Sequence, residues 1–309
     1  MKLDPGIYYG MSDVDYNAIE AMRWSTLRTI LDSPLAMRHA LDHPRKDTPA
    51  MRFGRAFHGA ILGTASAFVA VPPAHLTPSG AVSTGKAARE WMESLPDETI
   101  ALGPDDCERI ESCCAVVAAH ADASEWIAMA EADPDGGLEV VAVWIEAVDV
   151  DGVEVLIRCK AKADILSPRA DLIADLKSHR SKTGAMSLRS VEGAIASYLY
   201  HAQEGFYARG FRDALISMGS GVQGFEQRGF IFASSAPPFD CVCAQADDDM
   251  VQIGDDLAVE ALQRYARAVH YGEWPGCAPR RVMVSLPRWA MPHDDAEPKS
   301  LADAGWEQE

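Results

Sequence analysis

Residues 159–180 read CKAKADILSPRADLIADLKSHR. The second half, DLIADLKS, is apolar and β-branched between turn residues, which predicts a strand. The first half completes the alternating run VEVLIRCKAKADIL that starts at Val153. Side chains two apart on a strand share a face, so Asp175 and Lys177 point the same way, and Asp164 stands at the end of the preceding strand. Two charges on one face of an apolar LIADLK segment are costly unless paired or used. Two carboxylates and an ammonium converging on one sheet edge offer hard oxygen ligands of the kind that bind Mg²⁺ or Mn²⁺, with substrate phosphate oxygens completing the coordination. Lys177 then orients or deprotonates the attacking water, or offsets charge that builds on the phosphate. Taken singly, each residue has a plainer reading: Asp164 and Asp175 bound strands and Lys177 is solvated.

Upstream, LEVVAVWIEAV (138–148) alternates in the same way and is joined to Val153 by Asp149-Val150-Asp151-Gly152, a β-hairpin signature. Further upstream the period is helical. STLRTILDSPLAMRHAL gives two short helices, MRFGRAFHGAIL a third that carries His58, and 105–131 two more, ended by DPDGG. Residues 72–104, rich in Pro, Gly, Ser and Thr, read as a long surface connection. Downstream, 187–218 repeat Ala, Ile, Leu and Tyr at helical intervals, and two strands (GFEQRGFIFAS, FDCVCAQAD) and the helix MVQIGDDLAVEALQRYARAVH follow. The expected class is α/β, with a mixed central β-sheet flanked by helices. The expected organisation is one domain over 1–275, with a helical part over 1–131 and a catalytic core over 132–275, followed by an acidic, Pro-containing tail over 276–309.

The 309 residues are 48% hydrophobic and carry a net charge of −18, which excludes a disordered chain and a protein that coats nucleic acid through overall basic charge. Nucleic-acid contact must then be local. Residues 158–189 hold eight cations against three carboxylates, and Lys160, Lys162, Arg180 and Lys182 are candidate phosphate contacts. Seven scattered cysteines form neither a disulfide framework nor clustered metal ligands, so no iron–sulfur cluster is expected and apolar filling is their expected role. With no apolar leader or spanning stretch, the expected location is the cytoplasm, away from membranes.

The spacing D-x10-D-L-K of Asp164, Asp175 and Lys177 resembles the signature of the PD-(D/E)xK nuclease superfamily. Gly54-Arg55-Ala56-Phe57-His58 is similar to the G-x-x-x-H helix motif of its RecB- and RecE-type branch, and Gln203-Glu204-Gly205-Phe206-Tyr207 to the Q-x-x-x-Y motif of that branch. The opening MSDVDYNAIEAMRWSTLRTILDSPLAMRHAL resembles the start of RecE-like exonuclease domains, and the likeness runs from about Gly6 to about Tyr207. It implies a restriction-endonuclease-like core. It also implies metal ligation by His58, Asp164, Asp175 and the Leu176 backbone carbonyl, with Glu139 a further acidic ligand for which Glu131 and Glu146 are neighbouring alternatives. Lys177 is the implied catalytic lysine, and Gln203 and Tyr207 are implied contacts to the scissile strand.

The implied activity is Mg²⁺-dependent (Mn²⁺ substituting) 5′-to-3′ digestion of double-stranded DNA ends, leaving 3′ single strands for prophage-type recombination. A toroidal homo-oligomer and a single-strand annealing partner belong to the same implication. The rival readings are another nuclease of the superfamily, acting on single strands or internal sites, and a non-catalytic DNA-end-binding scaffold.

Overall fold

The computed structural model describes residues 1–43, 47–63, 68–96, 99–180 and 185–286. Lys182 and most of the predicted tail (287–309) lie outside the described residues. In chain order the elements are β1 (Gly6–Tyr8), α1 (Asp13–Ala18), α2 (Trp24–Leu27), α3 (Pro34–Asp42), α4 (Pro49–Leu62), β2 (Phe68–Ala70), α5 (Lys86–Glu93), β3 (Ile100–Leu102), α6 (Pro104–Ala119) and α7 (Ala121–Ala132). There follow β4 (Gly137–Val150), β5 (Val153–Ser167), β6 (Leu172–His179), α8 (Leu188–Tyr198), α9 (Tyr200–Ser217), β7 (Gln227–Ser234), β8 (Cys241–Gln245) and α10 (Asp248–Tyr271).

The predicted hairpin is the spine of a six-stranded mixed sheet, β1-β4-β5-β6-β7-β8. All neighbours are antiparallel except β6 and β7. A parallel pair cannot be closed by a tight turn, and α8 and α9 supply the crossover. Helices cover both faces. On one, α9 and α10 bury Phe206, Phe211 and Leu262 against Trp144 and Ala161. On the other, α4, α6 and α7 bury Phe57, Ile110 and Trp126 against Ile165, Leu176 and Ile231. Cys107, Cys113 and Cys241 are buried in this second layer, filling space as small apolar groups. Among the described residues, no helix is long and apolar enough to cross a membrane.

One expectation is corrected, and one helical stretch divides in two. The part before residue 132 is not purely helical. Its β1 pairs with β4 (Gly6↔Val143), and β2, just before what reads as a surface connection, pairs in parallel with β3 inside it. Three-residue strands are too short to show alternation, so only the partner strand reveals them. The helical stretch 187–218 is two helices, broken at Leu199 with φ 55°. A left-handed leucine carries none of the Gly or Pro signals that mark a break.

Arg228 on β7 ties α9 and α10, neighbours in one helical layer, to the sheet. It is buried, donates to Glu204 of α9 (2.5 Å) and forks onto both carboxylate oxygens of Asp255 of α10 (2.6 and 3.1 Å). Gly205 and Gly254 let the two helix backbones approach closely at this level. Burial pushes the Glu204 carboxyl up to about 7 while the guanidinium pulls against it.

Glycines on the two faces make a stability test. A Cβ at Gly210 would collide with the rigid Trp144 ring, whereas one at Gly54 in α4 meets nothing within 4 Å. Gly210→Ala is expected to destabilise by about 1–3 kcal/mol, and Gly54→Ala to stabilise by about 0.5–1 kcal/mol. Thermal denaturation followed by circular dichroism should separate the two in opposite directions.

Candidate metal centre and active site

Strands β5 and β6 pair only at Ser167↔Leu172, Leu166↔Ile173 and Ile165↔Ala174, while β5 continues against β4 and β6 against β7. The two strands therefore part at Asp164 and Asp175, and the polar side chains gather in the opening. Asp164, buried, accepts the Leu176 backbone N–H at Oδ2 (2.7 Å), replacing the ladder bond that the divergence removes. A residue's N–H and C=O face the same side of an extended strand, so the Leu176 carbonyl also faces this opening.

His58 reaches the opening from α4. Thr48 caps that helix by accepting from Met51 N–H, Pro49 occupies its first turn, and left-handed Gly63 ends it. Phe53, Ala56, Phe57 and Leu62 bury one face of α4, which sets His58 at the rim, 26% exposed. Its Nδ1 lies 3.2 Å from Asp164 Oδ1. Burial alone would lower the imidazole pKa, but the Asp164 carboxylate, with Asp175 beyond, raises it above the ordinary value. Burial likewise pushes Asp164 up, and His58, Lys177 and the Leu176 N–H together bring it below the ordinary carboxylate value.

Glu139 faces Asp164 across the β4–β5 ladder, between the pairs Leu138↔Ile165 and Val140↔Ala163. Its φ is +50°, a left-handed conformation that costs a non-glycine residue about 1–2 kcal/mol. Ligand atoms of His58, Glu139 and Asp164 all lie within 4.8 Å of one another. The alternatives are elsewhere. Glu131 is exposed at the end of α7, and Glu146 is buried on Trp144 Nε1 and Arg209, each at 2.8 Å.

Asp175 and Lys177 share a face of β6, as their spacing predicts, and their charged ends lie 2.5 Å apart. Gln203 of α9 bridges them, its Nε2 donating to Asp175 Oδ1 (2.6 Å) and its Oε1 accepting from Lys177 (3.1 Å). Asp175 Oδ2 is buried and has no aligned donor, so the Lys177 contact is electrostatic rather than a formed hydrogen bond. Burial, with Asp164 adding to it, pushes Asp175 up to about 6 against the pull of Lys177. Burial would lower Lys177, but Asp175, Tyr200 and Asp164 hold it above the ordinary lysine value. It is thus an ammonium, suited to donate to a phosphate oxygen and not to take a proton from water.

A divalent cation fits His58, Glu139 and Asp164, whose ligand atoms gather within 4.8 Å, with the Leu176 carbonyl facing the same opening. Asp175, the other expected ligand, stands outside that cluster, its carboxylate turned to Lys177 and Gln203.

The remaining predicted contacts fare differently. Tyr207 packs against the apolar core, and burial raises its phenol pKa well above the ordinary value. The observed polar partners of Gln203 are the site's own side chains rather than an open surface. Lys160 is corrected: it is 3% exposed and its ammonium is bonded to the carbonyls of Tyr16 (2.7 Å) and Ile19 (2.9 Å), which fasten the N-terminal segment to β5. Lys162 is corrected too, since its ammonium pairs with Asp13 (2.8 Å) and Glu139 (3.3 Å) and so belongs to the site's own charge network. Arg180, just beyond β6, is exposed.

Much of the apparent basic patch is engaged by the chain itself, for Arg158 donates to the Leu3 carbonyl and Arg169 pairs with Asp135 at the surface. Sequence reading missed Tyr200, whose ring lies 4.3 Å from the Lys177 ammonium. No motif marks it, because the contact is made only by the break at Leu199.

Two measurements check the site. Glu139→Gly removes both the strain and a ligand, so it should raise the melting temperature of the metal-free protein and weaken Mn²⁺ binding at least tenfold. A lower melting temperature with unchanged Mn²⁺ affinity would refute the assignment. Asp175 is raised in the folded state, so its stabilising contribution is full below about pH 4 and is lost as pH rises through about 6. A cation bound beside that carboxyl lowers its pKa and so releases a proton. At pH 5 to 6, calorimetric heats of Mn²⁺ binding are expected to vary with buffer ionisation enthalpy, and the variation should shrink in Asp175→Asn.

The comparisons bear on fold and family. No curated protein matches the chain. A crystal structure from Eubacterium rectale, named "Putative exonuclease", superposes with a TM-score of 0.50 at 14% identity, covering 90% of this chain and 96% of that one, which is a likeness of fold. Residues 24–280, including every residue of the opening described above, match the family of PDDEXK-like domains of unknown function (DUF3799), and the chain belongs to that family.

Proposed function

We propose that this protein is a RecE-type, Mg²⁺-dependent exonuclease that digests double-stranded DNA from its ends, 5′ to 3′, and leaves 3′ single strands for recombination. Family membership supports a nuclease. The observation that carries the reading is the grouping of His58, Glu139 and Asp164, with the Asp175–Lys177 pair beside it, where β5 and β6 part. A bound Mg²⁺ would supply Lewis-acid stabilisation of the charge that develops on the scissile phosphate.

The chain's own groups do the rest. Lys177 donates to a phosphate oxygen as charge builds there. Gln203 keeps Asp175 and Lys177 in register, and the Tyr200 ring fixes the ammonium from the side. Apolar packing of Leu176, Phe57 and Ile165 beneath the opening keeps water from the back of the site. The same reading places the protein in the cytoplasm as a homo-oligomer, toroidal by resemblance, acting with a single-strand annealing protein, with 1–275 as one folded unit.

The test is digestion of a linear duplex labelled at one 5′ end, beside a closed circular control, in Mg²⁺ and in EDTA. Release of labelled nucleotides from the linear substrate alone, abolished by EDTA, is the expected result; nicking of the circle would instead make it an endonuclease. Lys177→Ala should lower kcat by about 10²–10³ in a protein whose circular dichroism at the assay temperature shows that it stays folded. Full turnover in that variant would remove Lys177 from the chemistry.

A further inference from the structure

Lys160 and Lys162 are committed to internal partners and Arg158 to the Leu3 carbonyl, so the stretch that looked most basic leaves few cations for the phosphates of a substrate. A second cleft, of about 400 Å³, lies between α4, α5 and the segments that flank α5 and β3. Arg52, Arg55 and Arg89 line it together with Thr84, while Met92 and Ile100 form an apolar side. Among the described residues, Asp47 is the carboxylate that pairs with these guanidiniums, at 2.9 Å from Arg55 and 3.5 Å from Arg52. Among the described residues, three guanidiniums face Asp47, with Asp13 acting on Arg55 from one side, which leaves the cleft net positive on a chain whose net charge is −18.

The cleft is joined to the metal centre. Arg52, Arg55 and His58 follow one another at three-residue steps along α4, each step about 4.5 Å along the axis. Asp13 lies close enough to Arg55 to raise its pKa, and it pairs with Lys162, which pairs with Glu139.

We propose that this cleft is a subsite for one nucleic-acid strand, in which Arg52, Arg55 and Arg89 hold phosphate oxygens beside the metal centre. The inference rests on the nuclease reading above. The cleft's volume is that of a nucleotide-sized ligand and is too small for a duplex. Guanidiniums bind phosphate in a fork, and the Met92 and Ile100 side suits a base or sugar face. Either a terminal phosphate or the internal phosphodiesters of a strand present the same chemistry.

The test is fluorescence anisotropy of a fluorescein-labelled single strand, with Ca²⁺ in place of Mg²⁺, for wild type, Arg89→Glu and the double variant Arg52→Glu/Arg89→Glu. Circular dichroism and Mn²⁺ titration confirm that fold and metal site persist, and exposed Arg89 alone gives a variant with little risk to folding. The double variant is expected to bind at least tenfold more weakly, with the slope of log K against log salt reduced by about 1.4, the value for two lost phosphate contacts on a single strand.

Loss of a wild-type preference for 5′-phosphorylated over 5′-hydroxyl strands would support the proposal with the terminal phosphate in the cleft. Equal weakening of both would support it with the internal backbone there. Wild-type affinity and salt slope in the double variant, in a protein that still cuts DNA, would overturn the cleft and leave the nuclease intact. A wild type that neither binds nor cuts DNA would sink the nuclease reading and the cleft with it.

Discussion

Everything at the candidate centre depends on where two strands stop pairing. β5 and β6 are hydrogen-bonded through Ile165↔Ala174 and then diverge, which would leave the Leu176 N–H buried and unpaired. The Asp164 carboxylate takes that hydrogen bond at 2.7 Å, and in doing so a charged group is anchored in the interior. From that anchor follow the orientation of Asp164 toward His58, the exposure of the Leu176 carbonyl to the opening, and the separation that lets Asp175 and Lys177 turn toward α9. A sheet that continued pairing would have closed the opening.

The charges in the opening are arranged so that they do not cancel. Lys177 offsets Asp175 only in part, and Asp175 stays raised, to about 6, because it is buried beside a second carboxylate. Glu139 adds a third carboxylate from a strained backbone. Like charges and strain cost stability, and the surrounding scaffold has to hold them in place. The Arg228 fork onto Glu204 and Asp255 pins α9, and thereby Gln203, to the sheet. Residues 203 and 204 are neighbours on one helix turned to different tasks: one orients the site, the other fixes the helix.

Net charge along the chain is a poor guide to where a polyanion would bind. The cations between 158 and 180 come from strands whose neighbours are the N-terminal segment and the site itself. Lys160 therefore closes on backbone carbonyls and Lys162 on Asp13 and Glu139. Arginines with open space lie instead on α4 and α5.

The sequence by itself determined the sheet's central hairpin, the strand that carries Asp175 and Lys177 on one face, and the helix that carries His58. Each rests on a period of 2 or 3.6 and on local caps, which neighbouring residues specify without help from the rest of the chain. Only the tertiary structure decided which acidic residue joins His58 and Asp164, because the choice between Glu131, Glu139 and Glu146 turns on register and on one left-handed φ. It alone decided that β1 extends the sheet, that Tyr200 faces Lys177, and that Arg228 meets Glu204 and Asp255. These contacts join residues 24 to more than 100 positions apart, or hinge on a break at Leu199 that no local preference encodes. Long-range contacts are set by how whole layers pack, and a linear pattern carries no record of that.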